Sequence, residues 1–122
     1  EAPTLYLHAE HARRPREFAI EHQAVPSVDG RLDLDAVLSV LAARGINEVQ
    51  LEAGATLAGA FLSAGLVDEL LLYVAPVLLG ERARPLFHGL QIDAMAQRLH
   101  LRQVDCRSVG EDLRVLLRPA AP

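Results

Sequence analysis

The sequence predicts a mixed α/β fold: a mostly parallel sheet with an antiparallel hairpin at its carboxyl end, flanked by helices. Residues 34–42 carry apolar side chains at helical spacing. Residues 47–80 read as strand, glycine turn, short helix, glycine stop and second strand. From Leu99 onward apolar and polar residues alternate in two runs around Gly110–Asp112.

Composition bounds the rest. A chain of 122 residues has room for one core, so residues 1–122 are read as a single domain. Apolar residues make up 51%, which calls for much buried strand or a face meant for another chain. The net charge is -4 and no basic run could follow phosphates, so no nucleic-acid partner is expected. All 12 cationic residues are Arg, which removes lysine nucleophiles, Schiff bases and a P-loop lysine. A single cysteine, Cys106, excludes an internal disulfide framework and a cysteine metal cluster. It fits a reducing cytoplasm. No apolar run reaches the roughly 18–20 residues that span a bilayer, so no membrane partner is expected. The chain begins at Glu1 without Met, a few residues before an apparent strand, and reads as a piece of something longer.

In chain order, Thr4–His8 is a short apolar strand. The charged stretch Ala9–Gln23 contains Pro15 and reads as a loop leading into a short helix around Pro15–Glu21. Ala24–Pro26 suits a brief edge strand, where proline is tolerated. Val28-Asp29-Gly30-Arg31 is turn chemistry. Asp33 can cap the next helix, whose stripe is Leu34, Val37, Leu38, Leu41 and Ala42. Gly45 ends it. Val49 and Leu51 belong to a strand that reaches its carboxyl end at Glu52-Ala53-Gly54.

There a carboxylate and a small-residue turn meet the start of a second helix, about Thr56–Ala64, that stops at Gly65. Helix amides and their dipole make this a favoured place for an anionic ligand in an open α/β sheet. Gly54 lets a ligand approach the backbone, amides near Ala55, Thr56 and Leu57 face it, and the Thr56 hydroxyl can donate. Gly59 allows close approach of the helix to a neighbour. Asp68 opens the strand Glu69–Ala75, apolar without alternation as for a strand covered on both faces. In the final hairpin, Leu99 and Leu101 fall out of phase with Val104 and Cys106, and a bulge near Gln103 would explain the slip.

The run Leu51-Glu52-Ala53-Gly54-Ala55-Thr56-Leu57, then Ala60, then Gly65-Leu66-Val67-Asp68-Glu69-Leu70, and Ala75-Pro76 with Leu79-Gly80, resembles a known family. The family it is similar to is the carboxyl-terminal reductase domain of the bacterial bifunctional riboflavin-biosynthesis deaminase-reductase. The resemblance is dense over residues 32–90 and thinner elsewhere. It implies a dihydrofolate-reductase-like fold. It also implies NADPH-dependent reduction of 5-amino-6-(5-phosphoribosylamino)uracil to its ribitylamino product. Glu52 would contact substrate, and Gly54, Ala55, Thr56, Leu57, Ala58, Gly59 and Ala60 would hold NADPH. The implied partners are a pyrimidine ribosyl phosphate, a second copy in a homodimer, and a zinc-containing deaminase domain in the same full-length chain. The implied location is the cytoplasm.

Two departures accompany the match. Ala53-Gly54 stands where many relatives have two glycines. The upstream half, with its lysine and S-x-D-G segment, is absent, which would leave the piece inactive alone. Two other readings stay open: a related reductase of another pteridine or pyrimidine, and a non-catalytic self-association module. The catalytic residue is not identified.

Bland readings cover the remaining polar residues. Asp68 serves as a turn or cap residue, and Asp68-Glu69 need not be an acid pair. His8 and His11 have no third ligand near them, so no metal is assigned. His88 is expected on the surface, with a place near the substrate end of its loop as the other reading. Cys106 reads as a small core residue. The apolar run Leu70–Leu79 is core, or else a subunit contact.

Overall fold

A computed structural model describes residues 3–12 and 20–120. The chain separates into two compact units, Glu1–Gln50 and Leu51–Pro122.

In the first unit, β1 (Leu5–Ala9) and β2 (Glu21–Val25) pair in parallel, from Leu5 opposite Glu21 to Ala9 opposite Val25. The expected helix around Pro15–Glu21 falls largely on residues 13–19, outside the described residues, and Glu21 itself opens β2. A hairpin follows, β3 (Ser27–Val28) and β4 (Arg31–Leu32). Asp29 (φ 51°) and Gly30 (φ 74°) both take the left-handed conformation that a two-residue hairpin turn requires.

α1 (Leu34–Ala43) starts where the sequence places its cap: the Asp33 carboxylate accepts from the Ala36 amide at 3.1 Å. Gly45 (φ 79°) ends it, and the Gly45 amide donates to the Ala42 carbonyl at 2.9 Å. Just beyond α1, Arg44 donates to Glu21 at 2.6 Å, tying the helix end to the first residue of β2. Val25 is fully buried.

In the second unit, α2 runs Ala55–Ser63 and stops at Gly65 (φ 69°). β5 (Leu70–Val74), β6 (Leu101–Val109) and β7 (Asp112–Pro119) form a three-stranded antiparallel sheet in the order β5-β7-β6. Leu70, Leu72 and Val74 stand opposite Leu117, Val115 and Leu113, which makes one face apolar. The other face joins Leu71 and Tyr73 to Leu116 and Arg114, and charge dominates it. Arg114 donates to Asp105 at 2.8 Å and Arg118 to Glu69 at 2.5 and 2.8 Å. The expected slip in β6 is present: Gln103 opposes Leu117, Asp105 opposes Leu116, and Val104 is the extra residue between them.

Four expectations change. Val49–Leu51 carry no strand, because no described segment pairs with them. The parallel share of the sheet is smaller than predicted: among the described strands only β1 and β2 pair in parallel, and the other ladders are antiparallel. β5 is not covered on both faces, since Leu71, Tyr73 and Val74 are 43%, 59% and 48% exposed. Covering both faces of a three-stranded sheet takes more layers than one short helix provides. Cys106 is exposed rather than core, because β6 is an outer strand of that thinly covered sheet.

Candidate functional site

The site begins at the turn into α2. Gly54 is the N-cap residue with φ -70° and ψ 167°, an extended conformation open to any residue, and it has no side chain to bond the first amides. The first intrahelical donor is the Ala58 amide, to the Gly54 carbonyl at 3.2 Å. The amides of Ala55, Thr56 and Leu57 therefore precede the helical ladder and point out of the helix end. A Cβ built on Gly54 meets nothing within 4 Å, so the space in front of these amides is open. Thr56 and Leu57 are exposed, as is Glu52 two residues ahead of the cap. This end combines free donors, a hydroxyl and the positive end of the helix dipole, and suits a phosphate group.

The far end of the predicted stretch is different. Gly59 is buried, and a Cβ there would overlap the His88 carbonyl oxygen and stand 3.1 and 3.2 Å from its carbonyl carbon and amide nitrogen. The His88 amide also donates to the Ala55 carbonyl at 3.0 Å. The neighbour that Gly59 admits is thus this chain's own loop, and Gly59 has a packing role. Phe61 and Leu62 are buried as well, so solvent reaches the helix chiefly over its first turn. The His88 side chain is on the surface, as expected. Its backbone contact was not legible in the sequence, where only the small residue at position 59 hinted at a close approach.

Elsewhere in this unit a cavity of about 260 Å³ lies beyond the end of α2, lined by Leu62, Val67, Leu99, Leu101 and Pro119 among others. It stands apart from Glu52 and Gly54. Among the described residues no cluster of three or more His, Cys, Asp or Glu could hold a metal, and no helix is long and apolar enough to cross a membrane.

The sequence profile of the RibD C-terminal domain matches residues 1–115. The chain belongs to the RibD C-terminal domain family. It is 43% identical over 89 residues to the riboflavin biosynthesis protein RibD of Escherichia coli, covering 73% of this chain and 24% of that one. It is 39% identical over 116 residues to a 2,5-diamino-6-ribosylamino-4(3H)-pyrimidinone 5′-phosphate reductase of Methanothermobacter thermautotrophicus, covering 93% and 54%. Among solved structures, Acinetobacter baumannii RibD superimposes with a TM-score of 0.73 at 35% identity, over 83% of this chain and 27% of that one. A pyrimidine reductase-like protein of Corynebacterium diphtheriae gives 0.76 at 20% identity, over 97% and 50%, a likeness of fold.

The RibD C-terminal domain is dihydrofolate-reductase-like, and the mixed α/β architecture here is of that class. The chain spans about a quarter of the length of the E. coli relative and about half of the archaeal one.

Proposed function

We propose that this chain carries the nucleotide-holding part of an NADPH-dependent reductase of riboflavin biosynthesis. The reaction is reduction of 5-amino-6-(5-phosphoribosylamino)uracil to its ribitylamino product. The observation that supports this reading most is the open first turn of α2 behind Glu52-Ala53-Gly54, in a member of the RibD C-terminal domain family.

The residues present fit a dinucleotide. Gly54 leaves room for a diphosphate against the backbone, and the amides of Ala55, Thr56 and Leu57 and the Thr56 hydroxyl donate to it. Ala58 and Ala60 keep the flank of the helix low. Gly59 drops out of the contact set because the His88 backbone covers it. When bound, NADPH supplies the hydride. Glu52 accepts hydrogen bonds from ribose hydroxyls of the substrate and holds the sugar at a fixed height relative to the helix end. The chain's share of the chemistry is placement.

A second substrate reading has its own support. The archaeal relative, named for a diamino-pyrimidinone phosphate, matches 93% of this chain against 73% for the E. coli protein. That compound retains an amino group where the uracil has an oxygen, and the two substrates are separated by assaying both with the full-length protein. The full-length protein would also bring a deaminase domain and form a homodimer in the cytoplasm.

The test is a fluorescence titration with NADPH on this chain and on Gly54→Val. The expected result is saturable binding that the variant weakens at least tenfold. Absence of binding by the unaltered chain, with a stable dimer in its place, would favour the self-association reading.

A further inference from the structure

The first unit holds a cluster that the nucleotide reading does not use. Tyr6 and His8 lie on one face of β1, and the parallel register sets His22 opposite Tyr6 on the same face. The rings of His8 and His22 are 6.0 Å apart, and Tyr6 lies 5.9 Å from His8 and 5.4 Å from His22. His8 is 5% exposed. Its Nε2 and the Nδ1 of His22 are both buried without a hydrogen-bond partner.

Buried polar atoms without partners cost about 1–3 kcal/mol each, so a pair on neighbouring rings, inclined at 60°, is best explained by something that satisfies both. The His8 tautomer narrows the choice. Its Nδ1 lies 2.8 Å from the Ala9 carbonyl, so Nδ1 carries the hydrogen and donates it. Nε2 is then left with a lone pair. An imidazole that donates one N–H to a backbone carbonyl and presents the other nitrogen bare has the usual arrangement of a metal-ligating histidine.

We infer that His8 Nε2 and His22 Nδ1 form a two-coordinate site for a monovalent d10 cation of the copper(I) class. Geometry and charge select the class. An ion about 2.0–2.1 Å from a ring nitrogen is about 3.2 Å from the ring centre, so two imidazoles can share one ion up to a separation of about 6.4 Å. The observed 6.0 Å lies within that limit; with both nitrogens turned to a shared ion it gives a wide N–metal–N angle, whereas a tetrahedral angle would need about 5.2 Å. Wide-angle, two-coordinate binding is the habit of monovalent d10 ions. A divalent ion would bring a second charge to a place where the described residues offer no carboxylate or thiolate as a third ligand. Tyr6 supplies an aromatic wall beside the pair.

The sequence hid this site by pointing to His8 and His11. His11 lies in the exposed turn after β1, and the partner comes from the paired strand instead.

Silver(I) is the redox-silent probe. It is titrated into a Cys106→Ser chain, because the exposed thiol would otherwise capture a soft metal. Imidazole ¹⁵N resonances are followed. The expected result is that His8 Nε2 and His22 Nδ1 shift together and saturate at one equivalent, with thermal unfolding moved upward. His22→Gln should weaken the His8 response at least tenfold while the amide spectrum of the second unit stays unchanged. The inference is overturned if neither nitrogen responds, if only one does, or if zinc(II) binds the pair more tightly than silver(I).

Discussion

The His88 carbonyl oxygen occupies the place that a side chain on Gly59 would need. The same residue's amide is bonded to the Ala55 carbonyl at 3.0 Å. The loop before Gly89 is therefore fastened to the first two turns of α2, the turns that carry the nucleotide reading. Alanine is the better helix former by about 1 kcal/mol. Even so, Gly59→Ala should destabilise the chain by about 1–3 kcal/mol, since the obstacle is backbone rather than a side-chain end that could swing away. Urea unfolding measures this, and a stabilised variant would show that the loop does not rest on the helix.

Gly54 gives the opposite expectation for stability. Its backbone is extended and an added Cβ meets open space, so Gly54→Ala should unfold within about 1 kcal/mol of the unaltered chain. Any loss of NADPH affinity in that variant then reports on the ligand's approach and not on the fold. Parallel urea and NADPH titrations of the one protein separate the two.

The Glu21–Arg44 pair predicts a small pH dependence. The hydrogen bond from Arg44 holds the Glu21 carboxyl below its ordinary value of 4.5, and the same bond raises Arg44. A carboxyl depressed on folding stabilises the native state above its unfolded pKa. That contribution fades as pH falls through the lower, folded value. Glu21→Gln should therefore lower stability slightly at neutral pH, with the difference vanishing as pH falls below about 4.5, so that the acid limb of the variant is flatter. Both side chains meet solvent, so high salt should shrink the difference. Denaturant midpoints from pH 7 to pH 3 at two salt concentrations would show it, and an unaltered acid limb would remove the pair from the account.

Val104 can be deleted at little cost to pairing. Gln103 opposes Leu117 and Asp105 opposes Leu116, adjacent residues on β7, so removing the residue between them keeps both halves of β6 in register. The deletion variant should retain the Leu101–Pro119 and Val109–Asp112 pairs in cross-strand NOEs. A one-residue slip on either side would mean that the bulge sets the register rather than accommodating it.

Cys106 should react with a thiol reagent in native buffer without denaturation, reaching one label per chain. Labelling only after denaturation would restore the core position that the alternation suggests.

Short-range chemistry was readable from the residues. Asp33 reaches the amide of Ala36, Gly45 and Gly65 take the positive φ that ends each helix, Asp29-Gly30 forms the hairpin turn, and the slipped alternation marks the bulge at Val104. Each rests on neighbours within a few positions, where backbone sterics and hydrogen bonding leave few options. The turn at Glu52–Gly54 was legible for the same reason, since a small residue before a helix start exposes amides whatever lies beyond.

Contacts between distant residues were decided by the tertiary structure. β5 takes β7 as its partner across about forty residues, Val49–Leu51 find none among the described strands, and His88 settles on Gly59. His8 turns from His11 to His22 once β1 and β2 pair in parallel. Cys106 and Tyr73 show the limit of pattern: alternation says which side of a strand a residue takes, and only the layer opposite decides whether that side is dry. Apolar periodicity is a property of one segment. Burial belongs to two, and the second is chosen by the packing of the whole.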